Sequence, residues 1–536
     1  MKKLFILICA CVFLGSCKKD ILDITPTDRI SETAIWTDAV LPQLFINAQY
    51  NALQSGFQDH IQYFGGEAFI QADEGGYQTI GRGALTPTNV DNLSATFNYW
   101  NTAYSTIRNF NIFFEKIKEV PVSDDLKAKM TGEVKFLRAF VYAKLIWNYG
   151  GVPIVEKVYN ISETLTGLKR NTYDECVTYI LKDLNDAIAA LPAQQTGENQ
   201  GRASADAARA LKSRLLLYYA SPLINTGNDK TRWQAASDAA WDVIKTNRYS
   251  LYNDFHGLFT GDANNEAIFS RFYSTDVSHN VGYFSAPPGS GGLGQRDPTQ
   301  NLMDAFEMTN GVIPVINGIR NPDPANTYNE QDPFANRDPR FYATALYNGA
   351  PYKGRVIQPY AGGLDGVGND ATRTGYYLYK FINSDLPVSA TTPYTYAWHF
   401  LRLAEIYLNY AEAQYNLGNE AEARAYINKV RARDGVKMPA ITESGMALFD
   451  RIVHERQVEL ALEGHRYYDV RRWKIASDTE AKPLQGLTVT RNTNGTFTYN
   501  RVNIFARTWK DAFYFLPISF NNVQSSGGSL AQNDGY

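Results

Sequence analysis

The sequence predicts a mainly α fold, with helix–turn–helix pairs stacked into a right-handed superhelical scaffold and a loop-rich subdomain of short strands set into the stack. Three observations predict it. Apolar residues return at spacings of three and four in several segments of helical length. These segments come in pairs divided by turn residues. Between the pairs lie long stretches dense in Gly, Pro, Asn and Tyr, 250–396 above all, with only brief alternation.

Lys2 and Lys3 open the chain and precede an apolar run from Leu4 to Leu14. That run is too short to span a bilayer, which takes about 20 apolar residues. With its charged start and the small residues Gly15 and Ser16 before Cys17, it reads as a signal peptide, residues 1–16. Leu14-Gly15-Ser16-Cys17 resembles a bacterial lipobox, which implies that Cys17 is lipidated and becomes the mature N-terminus. Each buried acyl CH₂ contributes about 0.8 kcal/mol to anchoring. Residues 17–38 then read as an extended, lipid-anchored tether that docks on the body.

The helical pairs follow in order within an N-terminal repeat region, 39–249. A divergent first pair joins 39–54 with 97–118. The second joins 133–148 with 172–191, where Thr172 and Glu175 fit a capping box and Pro192 marks the end. The third joins 203–221 with 231–247. A C-terminal region, 397–536, holds the clearest pair. In it Ala404, Leu408, Ala411 and Tyr415 share one face, Leu417-Gly418-Asn419 turns the chain, and Ala423, Tyr426, Ile427 and Val430 line the next helix. This pair approximates the tetratricopeptide pattern, a repeat of about 34 residues that cannot bury its apolar face alone. The stretches 55–96, 250–396 and 475–536 read as irregular; a segment such as Phe341–Tyr347 alternates as a short strand would.

Composition narrows the function. The formal charge of −3 includes Lys2 and Lys3, so the mature chain stands at −5, and no basic face for nucleic acid is implied. Once Cys9 and Cys11 leave with the signal and Cys17 carries lipid, Cys176 alone remains, as a small core residue, and no internal disulfide forms. Gly289, Gly291 and Gly294 spell G-x-G-x-x-G, but Pro287-Pro288 before them and Pro298 after them deny the strand and helix that a dinucleotide fingerprint needs. The histidines form no H-E-x-x-H, no cysteine pair has zinc spacing, and Asp365–Asp370 lacks the calcium-loop pattern, so no cofactor or metal is expected. The charged run Glu455–Arg472 could suggest acid–base chemistry. On a helix, with Arg451 and Glu455 at i,i+4 and Gly464 as C′ residue, it reads instead as a buried ion-pair network.

Several motifs in order resemble the SusD/RagB family of outer-membrane nutrient-binding lipoproteins from Bacteroidetes. They are Cys17-Lys18-Lys19-Asp20, Phe136–Phe140 with Tyr149-Gly150-Gly151-Val152-Pro153, Leu302–Glu307, and Arg337-Asp338-Pro339-Arg340. Further on come Leu401–Ala413, the run Glu455-Arg456, Glu459, Glu463–Asp469 and Arg471-Arg472-Trp473, then Leu516-Pro517-Ile518 and the closing Gln532–Tyr536. The resemblance implies a non-catalytic lipoprotein of the outer membrane, facing the cell exterior, that acts as lid on a SusC-like TonB-dependent transporter. It implies capture of oligosaccharides, or of peptides in the RagB branch.

Sugars stack on aromatic rings while amides and hydroxyls fix their OH groups, so the candidate contacts are polar and aromatic residues on loops. Tyr77 and Gln78 lie in the first long insertion; Tyr273, Asn280, Tyr283 and Phe284 lie in the second. Trp100 shares a helical face with Tyr104 and Ile107 and is expected in the core. The rival readings are a lipid-anchored hydrolase, for which no nucleophile or acid pair stands out, and a purely structural partner of the transporter.

Overall fold

The computed structural model describes residues 32–59, 61–70, 76, 78–93, 98–159, 163, 167–261, 264–366, 368 and 370–536. Cys17, the signal segment and most of the proposed tether lie outside these residues. Helices of eight residues or more are numbered here α1–α10, and strands of five or more β1–β4. They are α1 (Leu41–Gln49), α2 (Tyr99–Lys116), α3 (Asp124–Tyr149), α4 (Tyr173–Ala190), α5 (Ala205–Ala220) and α6 (Lys230–Ile244), then β1 (Ala267–Arg271) and β2 (Trp398–Arg402). The C-terminal part adds α7 (Leu403–Asn416), α8 (Glu420–Arg431), α9 (Gly445–Glu459), α10 (His465–Arg472), β3 (Leu484–Arg491) and β4 (Phe497–Phe505).

From α2 to α8 each helix packs on the next, and α6 packs directly on α7 although the whole loop-rich segment intervenes in sequence. The stack is therefore continuous, and 250–396 is an insertion looped out of it. The mainly α fold of stacked helix pairs is as the sequence indicates.

Local sequence explains each element. α4 starts with the expected capping box: Thr172 Oγ1 accepts from the Glu175 amide at 3.2 Å, and the Glu175 carboxylate accepts from the Thr172 amide at 2.8 Å. α3 begins earlier than the apolar pattern suggests. Ser123 caps it and Asp124 and Asp125 complement the helix dipole, so its first turns are polar and solvated. From Val134 onward α3 is buried on nearly every face, the expected state of a helix apolar all round. Arg138 enters this core only because Asp183 of α4 accepts a bidentate pair at 2.7 and 2.8 Å. Cys176 is buried, as its place in the helical pattern implied.

The inserted segment is pinned at its two ends. β1 and β2 pair antiparallel across it and rest on α5. Its own small core gathers Leu346, Tyr352, Ile357, Tyr377 and Ile382 around Ala286. Three local expectations change here. Within Phe341–Tyr347, residues through Thr344 belong to a short helix, Pro339–Thr344, capped by Asp338, and only Ala345–Leu346 pair as strand. The 475–536 stretch contains the longest hairpin in the described chain, β3 with β4. Glu32–Thr37, inside the expected tether, is helical and buries Trp36 against Phe45 and Phe113.

Buried charge joins insertion to scaffold. From the insertion come Glu266, Glu307, Asp338, Arg340 and Lys380; from the helices and their flanks come Arg402, Arg431, Arg433, Arg451, Glu455, Glu459 and Glu463. Arg340 donates to Asp338 at 2.8 Å, Glu455 at 2.6 Å and Glu459 at 3.0 Å. Arg431 bridges Glu307 and Glu455, Arg402 bridges Glu266, Glu459 and Glu463, and Arg433 bridges Glu266 and Glu459. A second node ties Arg472 and Arg456 to Asp469, with Arg472 and Trp473 also donating to Glu412 of α7. The Glu455–Arg472 run is thus the structural network its sequence suggests, with two corrections. Arg451 pairs with Glu307 and Glu443, because its side chain points to the insertion and not along the helix to Glu455. Gly464, at φ +85°, precedes α10; the left-handed turn after α9 falls on Leu462.

Burial alone would raise the Glu455 carboxyl, but Arg340 and Arg431 override it and hold it at about 2. Glu455 therefore contributes stability that is present above its unfolded value near 4.5 and is lost as pH falls toward about 2. Acid titration followed by circular dichroism should show unfolding in that window. Arg340→Leu removes the guanidinium shared by three buried carboxylates, leaves Asp338 without an ion-pair partner among the described residues, and should cost about 3–5 kcal/mol in urea unfolding.

Candidate ligand-binding site

The second insertion carries two exposed features that can hold a ligand. The first is a groove of about 460 Å³ between the end of α1, the 198–202 turn and β1, lined in part by Tyr50, Arg202, Arg271, Phe272 and Tyr273. Its floor is held from below. Tyr50 donates to Glu133 of α3 at 2.5 Å, Arg202 donates to the same carboxylate, and Tyr50 accepts from the Ala203 amide. Tyr273 shares a hydrogen bond with Ser55 at 2.6 Å, and the Arg271 guanidinium lies 5.2 Å from its ring centre. Its ring also packs on His279 at 4.9 Å.

His279 anchors the second feature. Burial holds its imidazole near 3, hence neutral, and it contacts Phe57, Tyr273 and Tyr396 while its Nε2 faces the Tyr396 carbonyl at 3.1 Å. Directly after it, Asn280 stands exposed at the start of the short helix Val281–Ser285. That helix lies so close to Tyr394 that a Cβ on Gly282 would fall 2.2 Å from its ring, so only glycine fits. The helix presents Tyr283, half-buried, and Phe284, 37% exposed, edge to face at 6.2 Å. The expected residues Tyr273, Asn280, Tyr283 and Phe284 thus share one segment turned around His279. The Tyr283–Phe284 pair is the one ring contact among them.

Gln78 lies elsewhere. It is buried, donates to the Ile70 carbonyl at 3.3 Å and accepts from Arg82 at 2.5 Å, so it holds its own loop together. Tyr77 lies outside the described residues. Trp100 is 7% exposed and packs on Tyr104 and Tyr149, a core residue as expected. Sequence reasoning missed Tyr50, Arg202 and Arg271. The alternation of Arg271 with Tyr273 was a usable signal; Tyr50 and Arg202 come from distant elements and had none.

The set-aside motifs also find their place. The Gly289 loop and the Asp365 loop are stitched to each other. Asp365, fully buried, accepts from Arg355 at 2.7 Å, from the Gln358 amide at 2.9 Å and from the Gly289 amide at 3.2 Å. Asn369 lies outside the described residues. Among the described residues no group of three His, Cys, Asp or Glu could hold a metal ion, and no helix is long and apolar enough to cross a membrane.

Comparison with known proteins places this geometry. Residues 257–536 match the family model described as the SusD family, and residues 28–217 match one described as starch-binding associating with outer membrane. SusD-like protein P25 of Formosa agariphila is 26% identical over 437 residues, covering 77% of this chain and 76% of that protein. The crystal structure of a SusD-like protein from Bacteroides fragilis superposes with a TM-score of 0.81 at 29% identity, covering 96% of this chain and all of the other. A structure described as a laminarin-binding SusD-like protein superposes at 0.68 with 23% identity, covering 93% of this chain and all of that one. With a family match over more than half its length and the same stacked-helix body, the chain belongs to the SusD family.

Proposed function

We propose that this chain is a surface lipoprotein of the outer membrane, anchored through Cys17, that captures oligosaccharides without chemically altering them. It passes them to a partner SusC-like TonB-dependent transporter on which it sits as a lid. The observation that carries the capture reading is the partly exposed Tyr283–Phe284 pair, on the same inserted segment as Tyr273 of the groove. Rings held edge to face on a short, tightly docked helix offer a rigid stacking surface that needs no reordering to meet a sugar. Asn280, exposed beside the pair, supplies a polar contact, and Tyr77 and Gln78 of the first insertion stay candidate contacts on sequence grounds. Family membership supports the same reading, as do the carbohydrate-binding descriptions of structural neighbours, including a SusD-like carbohydrate-binding protein from B. fragilis and surface glycan-binding protein A from Bacteroides thetaiotaomicron.

A stacked ring is worth on the order of 1 kcal/mol beyond its buried area, so capture of one oligosaccharide class at micromolar affinity or weaker is expected. Affinity electrophoresis against a panel of polysaccharides, with proteins and peptides alongside, should show retardation by at least one glycan. Retention of peptides alone would move the chain to the peptide-importing branch. Replacing Tyr283 and Phe284 together by Ala should weaken glycan binding about tenfold or more while leaving the thermal midpoint nearly unchanged, since both rings reach solvent. Release of reducing ends from substrate by the purified protein would overturn the non-catalytic reading. Cys17→Ser should move the protein out of the membrane fraction, and mass spectrometry of the native protein should find an acylated N-terminus.

A further inference from the structure

A polar cleft of about 630 Å³ lies away from the aromatic pair, between Gly65–Glu67, α9 and the base of the β3–β4 hairpin. Two ionisable side chains, Glu67 buried and Arg466 partly exposed, line it without an ion-pair partner among the described residues. Glu67 is 2% exposed, and neither carboxyl oxygen completes a hydrogen bond. Arg466 makes no ion pair, and its Nη1 is buried with no acceptor. Arg466 is the exception within the Glu455–Arg472 run, whose other arginines are all bonded. Leaving such groups desolvated and unmatched costs roughly 1–3 kcal/mol each, more when charged. Most other buried charges in the fold are paired, and these two differ in facing a common cleft.

The cleft is built for close approach. A Cβ on Gly65 would lie 3.0 Å from the Tyr467 amide nitrogen and 3.3 Å from Arg466 Cβ, and Gly66 takes φ +71° beside Arg507. The other cations are committed: Arg507 to Glu480 and to the carbonyls of Thr479 and Lys482, and Lys482 to Asn317. Helix α9 turns Asp450, His454 and Gln457 to the same cleft, at spacings of four and three. Burial lowers the His454 pKa, so it stays neutral, and it faces the Ala305 carbonyl.

Burial pushes the Glu67 carboxyl up to about 8, offset only in part by the positive charges of Arg466 and Lys380 and reinforced by Glu463. Lys380 and Glu463 pair with each other at 2.8 Å, as do Glu480 and Arg507, and Asp450 lies at the exposed rim. At neutral pH the inner cleft therefore holds one unmatched positive charge beside a carboxylic acid that can donate. Both groups suit an incoming anion with two acceptor oxygens.

We propose that this cleft is a second ligand subsite, in which Arg466 and Glu67 grip the carboxylate of an acidic sugar and Gln457 meets its hydroxyls. The sugar identity rests on the glycan-capture reading; the carboxylate grip rests on the cleft itself.

Calorimetric titration of the purified protein with glucuronate and galacturonate, against glucose and galactose, tests it. The uronates should bind about tenfold or more tighter than the neutral sugars, a preference that Arg466→Gln removes. Affinity for uronate should fall about fivefold or more from pH 7 to pH 9 as Glu67 ionises and repels the ligand, a dependence that Glu67→Gln should flatten. If Arg466→Gln does not fold, the Glu67→Gln pH comparison decides alone. Equal affinity for neutral and acidic sugars, a pH dependence unchanged in Glu67→Gln, or a preference for peptides with a free C-terminus over uronates would each overturn the subsite. Retention of polysaccharides with no uronate preference sinks the subsite and leaves glycan capture standing. Uronate binding lost in Arg466→Gln, with no polysaccharide retained, does the reverse.

Discussion

The structure depends on the buried ionic lattice that Arg340, Arg402, Arg431 and Arg433 form with Glu266, Glu307, Glu455 and Glu459. An insertion this long has few regular elements of its own, and although Phe259, Phe306, Phe341 and Phe381 join the main apolar core, non-directional apolar contacts do not by themselves fix where it sits. The lattice does this with direction. Each guanidinium presents a fixed fork of donors, so its carboxylates must arrive at set positions, and a shift of the insertion would leave charge unpaired in the core. Such a contact adds little net stability over an apolar one but penalises every wrong placement heavily.

That placement is what the binding surface requires. Tyr273, Asn280, Tyr283 and Phe284 sit on a segment whose backbone has little regular hydrogen bonding, yet each is held from behind: Ser55 and Arg271 steady Tyr273, and Tyr394 backs the short helix. The helix stack contributes the floor of the groove through Glu133 and Tyr50. The division of labour is physical. Close-packed helices supply rigidity, and the insertion supplies side chains that solvent can reach.

The Glu67–Arg466 cleft stands out against the same background. Where buried arginines elsewhere meet two or three acceptors, the partly exposed Arg466 meets none among the described residues, and the Glu67 carboxyl in the same cleft forms no ion pair among them. Within the Glu455–Arg472 run, Arg456, Arg471 and Arg472 are bonded into the fold, and Arg466 is the arginine that lines the cleft.

The helical pairs were legible in the sequence because their information is local. Three- and four-residue spacing, the Thr172–Glu175 cap and the Leu417-Gly418-Asn419 turn act within a few residues of each other. The role of Glu455–Arg472 as a structural network was legible too, since carboxylates and arginines lie within helical reach of one another, although the run divides between α9 and α10 and feeds two nodes. The partners were not: Arg451 reaches Glu307 and Arg340 reaches Glu459 across more than a hundred residues, and no local pattern encodes such a meeting. The β3–β4 hairpin escaped notice because β4 is only partly buried along its length and so lacks a clean alternation. Sequence by itself determined the paired helices, the Thr172 cap of α4 and which loops carry aromatic rings. Only the tertiary structure decided which rings face solvent, that Gln78 is occupied with its own loop, and that Glu67 and Arg466 share a cleft, because burial and pairing depend on what the rest of the chain brings alongside.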